Sequence, residues 1–226
     1  AAACDAFEQW ACRYFGHVLK RKVQLVCVDG RPRTLRAVWA DGYAPVIYQH
    51  RAEAEALLKV MLDRKLSGTA VEIGLEHGGL HMLLRQVCRK VISVDIAAHK
   101  VLEFARRVPA DRRSILICGS TSQRRTVLAV EKAADGPVDV LFIDGDHAYE
   151  AVKSDYFTYR HVVRPGGLIA LHDTAGRSDE HRGVSVFLAQ LRSGQLDGRP
   201  HKIHDIIRGG TGISYEIAGT GKGGPG

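Results

Sequence analysis

The stretch from Val138 to Thr174, VDVLFIDGDHAYEAVKSDYFTYRHVVRPGGLIALHDT, limits the possible folds more than any other. Val138 to Ile143 is an apolar run of buried-strand length. It ends in Asp144-Gly145-Asp146-His147. From Tyr149 to Val163, apolar residues fall at Val152, Tyr156, Tyr159 and Val163, which is helical spacing. Pro165-Gly166-Gly167 stops that helix. Leu168 to Leu171 forms a second apolar run, closed by His172-Asp173. A strand–helix–strand unit of this length is normally parallel and right-handed. Both polar clusters then lie at the carboxyl ends of strands, where open α/β sheets bind ligands. One unit thus aims Asp144, Asp146, His147, His172 and Asp173 at a single crevice.

The same rhythm recurs upstream. Arg51 to Leu66 reads as a helix stopped by Ser67-Gly68. Strands are expected at Thr69–Ile73, Val91–Val94 and Ser114–Cys118, and helices at Leu80–Cys88, Ala97–Val108 and Arg124–Ala134. Alternation of this kind predicts a doubly wound, Rossmann-like, mostly parallel sheet with helices on both faces. After Asp173 the pattern loosens: a polar loop over Thr174–Arg182, a helix over Val184–Leu191, then strands over His201–Arg208 and Gly212–Ile217 as a C-terminal antiparallel hairpin. Residues 51–218 form the expected domain. Residues 1–50 carry a helical segment (5–20) and two short strands (23–28 and 35–39) outside the rhythm. They read as an N-terminal appendage, a lid or a dimer arm, in which Tyr43, Tyr48 and His50 either face the site or pack locally. Residues 219–226, GTGKGGPG, read as a flexible tail.

Composition excludes several classes. With 226 residues, 45% hydrophobic and 25% charged, the chain suits one ordinary globular core. It holds no apolar stretch long enough to span a membrane. The first residues lack the basic start and continuous apolar core of a signal peptide, so a cytoplasmic protein is expected. Five cysteines without a C-x-x-C argue against a disulfide framework or a zinc cage; Cys88 and Cys118 read as small core residues. The net charge of +7 comes from dispersed basic pairs without interleaved aromatics. No nucleic-acid partner is therefore expected.

Two further motifs carry chemistry. VEIGLEHGG, Val71 to Gly79, is a strand, a glycine turn and a helix start. Gly74 and Gly78 let backbone pass close beneath a ligand, and the helix start offers free N–H groups. It is not G-x-G-x-x-G, and Glu72 before the first glycine suits a cationic ligand better than a pyrophosphate. Asp95 closes the next strand. An acid there either accepts hydrogen bonds from ribose hydroxyls or caps the following helix.

Together VEIGLEHGG, VISVDI, ICGSTS, FIDGDHAYEAVKSD and RPGGLIALHD resemble class I S-adenosylmethionine-dependent methyltransferases. More narrowly, they are similar to the cephalosporin-hydroxylase-like and macrolide-sugar O-methyltransferase group. The resemblance spans roughly residues 50–175. It implies S-adenosyl-L-methionine over the carboxyl ends of the strands. Glu72, Gly74 and Gly78 would lie at the cofactor loop, Asp95 on the ribose hydroxyls and Ser120 near the adenine, with Asp144 both a cofactor-binding and a catalytic residue. An acid often precedes that serine in the family, whereas this chain has Gly119. The resemblance also implies a divalent metal on Asp144, His172 and Asp173, magnesium first and manganese as the alternative. Family members often carry an acid where His172 stands, and imidazole suits transition metals better than magnesium. His147 matches the family's catalytic base, with Asp146 as an orienting or outer acid. The implied activity is metal-assisted O-methylation of a sugar, saccharide or other small natural product by a homodimer or other homo-oligomer. Three rivals remain: a nucleotide-dependent oxidoreductase, against which the glycine pattern speaks; an accessory, non-catalytic partner subunit; and an RNA methyltransferase, whose usual amine-methylating motif is replaced here by Ile143-Asp144-Gly145-Asp146.

Overall fold

The computed structural model describes residues 47–107, 113–176 and 178–219. The helix expected over 5–20, the strands expected over 23–28 and 35–39, and nearly all of the tail lie outside these residues.

The described chain runs α1 (Arg51–Asp63), β1 (Thr69–Ile73), α2 (Gly79–Leu84), β2 (Lys90–Asp95), α3 (Ala98–Arg107), β3 (Ser114–Cys118), α4 (Arg124–Ala134), β4 (Val138–Ile143), α5 (Tyr149–Tyr159), β5 (Val163–His172), α6 (Arg182–Ser193), β6 (His204–Ile206) and β7 (Ile213–Ile217). The seven strands form one sheet in the order β3-β2-β1-β4-β5-β7-β6. Strands β1 to β5 pair in parallel, and β7 runs antiparallel to both β5 and β6. The expected Rossmann-like sheet with a C-terminal antiparallel hairpin is therefore the one observed.

Apolar runs without alternation become strands buried on both faces, because helices cover each side. On one face Ala70, Val91, Val140, Phe142 and Leu168 pack against Leu57, Met61, Leu83, Leu84 and Phe104 of α1, α2 and α3. On the other Val71, Ile92, Leu141 and Ile169 pack against Val130, Val152, Tyr156, Phe187 and Leu191 of α4, α5 and α6. Tyr156 and Phe187 meet edge-on with ring centroids 5.3 Å apart, tying α5 to α6.

Strand order reverses between β1 and β4. The chain leaves β1 toward β2 on one side and leaves β4 toward β5 on the other, so their carboxyl-end loops part and leave a crevice. The Asp144 N–H still bonds to the Ile73 carbonyl at 2.8 Å, and the Gly74 N–H to the Val94 carbonyl at 2.9 Å. The crevice floor is thus a direct continuation of the sheet.

Several boundaries differ from the expected ones. β5 begins at Val163 and absorbs the Pro-Gly-Gly as a register shift against Val138 and Val140. A Cβ on Gly167 would stand 2.9 Å from the Asp139 carbonyl oxygen, so glycine permits the close passage of two strands there. Helix α2 ends at Leu84 and continues to Cys88 only through turns. The penultimate strand shrinks to three residues, since only these pair with β7. Cys88 is buried as expected, but Cys118 is exposed: β3 is an edge strand, and Cys118 is its last residue.

Candidate active site

A cleft of about 580 Å³ opens at the strand-order reversal. Its floor and walls include Gly74, Glu76, Asp95, Ile96, Ser120, Thr121, Asp144 and Asp155. Gly74 sits at φ +91°, and a Cβ there would meet the Asp144 carbonyl oxygen at 2.0 Å. Only glycine lets the loops after β1 and β4 touch beneath the cleft.

Asp95 organises the adjoining loop. Its Oδ2 accepts the N–H groups of Leu75 and Glu76 at 3.1 and 3.2 Å, and its Oδ1 accepts the N–H of Ala97 at 2.7 Å. The residue thus caps the chain into α3 and also lines the cleft, so the two roles read from the sequence coexist. Ile96, 72% exposed, offers an apolar platform beside it. Ser120 lies across the cleft, its hydroxyl 2.9 Å from that of Ser122.

Glu72 and Gly78 lie elsewhere. Neither lines the cleft. Glu72 is buried in the core, where the Ser93 hydroxyl donates to its Oε2. Burial pushes its carboxyl well above the usual range, against the opposing effect of the Ser93 bond. Gly78 is the left-handed N-cap of α2, seated where a Cβ would strike the Phe104 ring at 2.1 Å. Both residues shape the loop from below. His77 stands outside the cleft, its ring tilted against that of Tyr48 at 6.1 Å, so Tyr48 packs locally.

A cluster of acids and imidazoles borders the cleft. Asp144 Oδ1 stands 3.2 Å from His172 Nδ1. His147 Nε2 is 2.9 Å from Asp173 Oδ2 and 3.9 Å from Asp144 Oδ1. His172 Nδ1 is also 3.2 Å from Asp173 Oδ2. The four side chains that the sequence aimed at one crevice therefore do meet. Asp146 points its Oδ1 at the Ala148 N–H instead, at 2.9 Å, and caps its own turn.

The electrostatics follow from this crowding. The hydrogen bonds and charges of Asp144 and Asp173 lift His147 to about 10; of the two, Asp173 at 2.9 Å is the true hydrogen-bond partner. Burial alone would lower His172, but Asp144 and Asp173 outweigh it and bring that imidazole to about 10 as well. In return both carboxyls sit below their ordinary range despite burial, Asp144 chiefly through His172 and Asp173 through His147 and His172. Two negative and two positive groups hold one another.

The donor chemistry fits a divalent cation. One atom each of Asp144, His172 and Asp173 lies within 4.8 Å of the others. Asp173 takes φ +58°, a strained setting for a non-glycine residue that turns its carboxylate back into the cluster. The Gln49 Nε2 donates to Asp144 Oδ2 at 2.6 Å, while its buried Oε1 has no hydrogen-bond partner among the described residues. A buried acceptor left open beside the cluster is what a bound water or ligand would satisfy.

Residues that sequence reading missed hold this arrangement. Gln49 lies 95 positions from Asp144. Thr211 Oγ1 stands 3.3 Å from His172 Nε2, fixing the ring from its far side. Fully buried Glu53 accepts the N–H groups of Arg208, Gly210 and Gly212 at 2.7, 3.0 and 3.3 Å, which anchors the turn carrying Thr211. Asp155, buried in α5, lines the cleft and is pushed up to about 6 by burial, against a hydrogen bond from Thr121. Asp155 was visible inside the motif, but its place in the cleft wall was not. Nothing in the sequence singled out the others.

Known proteins share this architecture. The sequence of residues 71–174 matches the family described as "Methyltransferase domain". No curated protein matches the chain significantly. Among solved structures it is similar to the MycE methyltransferase from the mycinamycin biosynthetic pathway in complex with Mg, SAH and mycinamycin VI, with a TM-score of 0.53 at 20% identity over 76% of this chain and 51% of that one. The chain thus spans about half the length of that enzyme. It is similar also to the O-methyltransferase TomG from Streptomyces achromogenes in complex with SAM, at 0.59 and 14% over 94% and 88%. A third likeness is to an O-methyltransferase from Bacillus cereus in complex with SAH, at 0.56 and 16% over 93% and 99%. Residues 71–174 thus match the methyltransferase-domain family, and the seven-stranded sheet that holds their motif-bearing strands has the Rossmann-like fold of these O-methyltransferase structures.

Proposed function

We propose that the protein is an S-adenosylmethionine-dependent O-methyltransferase, assisted by a divalent metal, that acts on a hydroxyl of a sugar, saccharide or other small natural product. One observation carries the reading: Asp144 belongs to both the cleft and the donor cluster. In a displacement at a sulfonium methyl, donor and acceptor oxygen must meet in line, so cofactor site and acceptor site must share a border.

In this reading Gly74 lets the loop lie flat under the cofactor. Asp95 holds the ribose hydroxyls, Ser120 and Ile96 flank the adenine, and Asp155 offers the acceptor for the adenine amine that Gly119 lacks. The methyl–sulfur bond breaks, its electron pair staying on sulfur, as the methyl–oxygen bond forms. The acceptor's proton passes to His147 Nε2. With its carboxylate neighbours unshared, that imidazole is charged at neutral pH and holds no lone pair for a proton. Asp144, His172 and Asp173 would hold a divalent ion, whose positive charge would offset the two carboxylates that keep His147 protonated and would lower the pKa of the acceptor hydroxyl, leaving His147 Nε2 free to take the proton. Magnesium accepts the two carboxylates; the imidazole of His172 favours manganese or a related ion. The complexes of MycE with Mg and SAH, and of TomG with SAM, support the same assignment by likeness of fold.

Calorimetric titration with S-adenosylmethionine and S-adenosylhomocysteine, with and without magnesium or manganese, tests this. The expected result is binding of both nucleosides, loss of the metal response in Asp144→Ala, and retained nucleoside binding but lost turnover in His147→Ala. Binding of neither nucleoside to folded protein would sink the proposal. Binding without turnover on any hydroxyl acceptor would favour an accessory, non-catalytic subunit instead.

A further inference from the structure

Beside the cluster assigned above lies a second set of donors. His181, from the short helical turn Asp179–His181 that precedes α6, brings its Nε2 to 3.8 Å from Asp173 Oδ1. His147 Nε2 faces the other oxygen of the same carboxylate at 2.9 Å. The two imidazole rings lie 4.9 Å apart. One atom each of His147, Asp173 and His181 falls within 4.8 Å of the others. Ligand atoms around one tetrahedral ion, with bonds of about 2.0–2.1 Å, stand about 3.4 Å apart. Shifts well under the length of a side chain would close the set.

The segment carrying His181 is fitted to this place. A Cβ on Gly176 would strike the His181 ring at 2.5 Å, so glycine leaves room for the imidazole. A Cβ on Gly183 would stand 2.2 Å from the His147 carbonyl oxygen, so the start of α6 lies directly on the loop that carries His147. The Ser178 hydroxyl bonds His181 Nδ1 at 2.8 Å, which leaves Nε2 as the nitrogen turned to the carboxylate. Metal-binding histidines are commonly oriented by such an outer hydrogen bond.

We propose that His147, Asp173 and His181 form a site for a divalent transition ion of the zinc class, through two imidazoles and one carboxylate with a position left for water. Two nitrogen donors select zinc, cobalt or nickel over magnesium, whose preference is oxygen. The site differs from the Asp144–His172–Asp173 set, and binding there does not depend on methyl transfer. Its consequence rests on the reading of His147 as the base: an ion held on Nε2 removes the lone pair that would take the acceptor's proton, so the ion inhibits.

Zinc titration of the full chain against a chromophoric chelator, with visible absorption of the cobalt-loaded protein, tests the site. One His181-dependent ion per chain is expected to survive about a thousand-fold excess of magnesium, with cobalt bands of the intensity given by four- or five-coordinate nitrogen-containing sites. His181→Ala should weaken zinc binding by about ten-fold or more and abolish those bands. Its melting temperature and S-adenosylhomocysteine binding serve as controls for folding. His181→Cys, which restores a soft donor, should recover binding. Equal zinc affinity in His181→Ala and the parent chain, or displacement by magnesium, would overturn the proposal. Zinc binding that depends on His181 without inhibition of methyl transfer would leave the site standing and remove His147 from the base role.

Discussion

Replacement of Glu53 reports how the donor cluster is held from a distance. Glu53 lies in the first turn of α1, is fully buried, and accepts three backbone N–H groups from the turn between β6 and β7. Glu53→Ala leaves all three without that partner. Arg208 and Gly210 belong to an exposed turn, so water repairs much of their loss, at about 1 kcal/mol each; buried Gly212 loses about 2 kcal/mol. The sum, about 4 kcal/mol, corresponds to a fall in melting temperature of roughly 10 °C for a chain of this size. Glu53→Gln separates hydrogen bonding from bulk. Its amide oxygen can keep the bonds to Arg208 and Gly210, which both go to Oε1, but the amide nitrogen replaces Oε2 opposite the Gly212 N–H. Two donors then face each other, at a cost of about 1–2 kcal/mol. Urea unfolding gives the energies, and amide hydrogen exchange at Arg208, Gly210 and Gly212 gives the location. Thr211 should release His172 in both variants, so metal affinity should fall in the same order. Equal losses in the two variants would refute the count of hydrogen bonds. Unchanged exchange in the turn would refute the anchoring itself.

Two other substitutions probe the cleft. Gly74→Ala forces a Cβ to 2.0 Å from the Asp144 carbonyl oxygen at φ +91°, so the loops after β1 and β4 must part; a loss of about 3 kcal/mol or more and of S-adenosylhomocysteine binding is expected, and near-normal binding by calorimetry would contradict the close approach. Asp155 has its folded-state pKa raised to about 6, so the unfolded chain ionises first as pH rises and stability drains away between about pH 4 and 6, by about 3 kcal/mol in all. Asp155→Asn removes that loss: it should raise the melting temperature at pH 7.5 and have little effect at pH 4, and a benefit equal at both pH values would show that ionisation is not its cause.

The chain's order of apolar runs and turn residues was sufficient for the sheet. Each strand of β1 to β4 is a short apolar segment followed by a helix, and the right-handed crossover leaves few ways to join them. The acids and histidines at the ends of β4 and β5 were legible for the same reason, since a strand's last residue necessarily sits at the sheet's carboxyl edge. Their mutual distances were not. Asp146 and His147 are neighbours in the motif, yet one caps its own turn and the other meets Asp173. Glu72 shares β1 with cleft-lining Ile73, but successive side chains point to opposite faces, and Glu72 went to the core beside Ser93. Cys118 looked like a core residue because strand position within the sheet is a matter of topology, and β3 came to lie at the edge.

Local sequence thus determined which elements form and which residues stand at their ends, because hydrophobic period and backbone preference act over a few residues. Only tertiary structure decided what surrounds those ends. Gln49 reaches Asp144 across 95 positions, Glu53 reaches Arg208 across 155, and Thr211 reaches His172 across 39. Such contacts depend on how α1 and the β6–β7 turn come together over the sheet. No period or motif encodes that, since each partner is an ordinary polar residue until the fold buries it beside a charge.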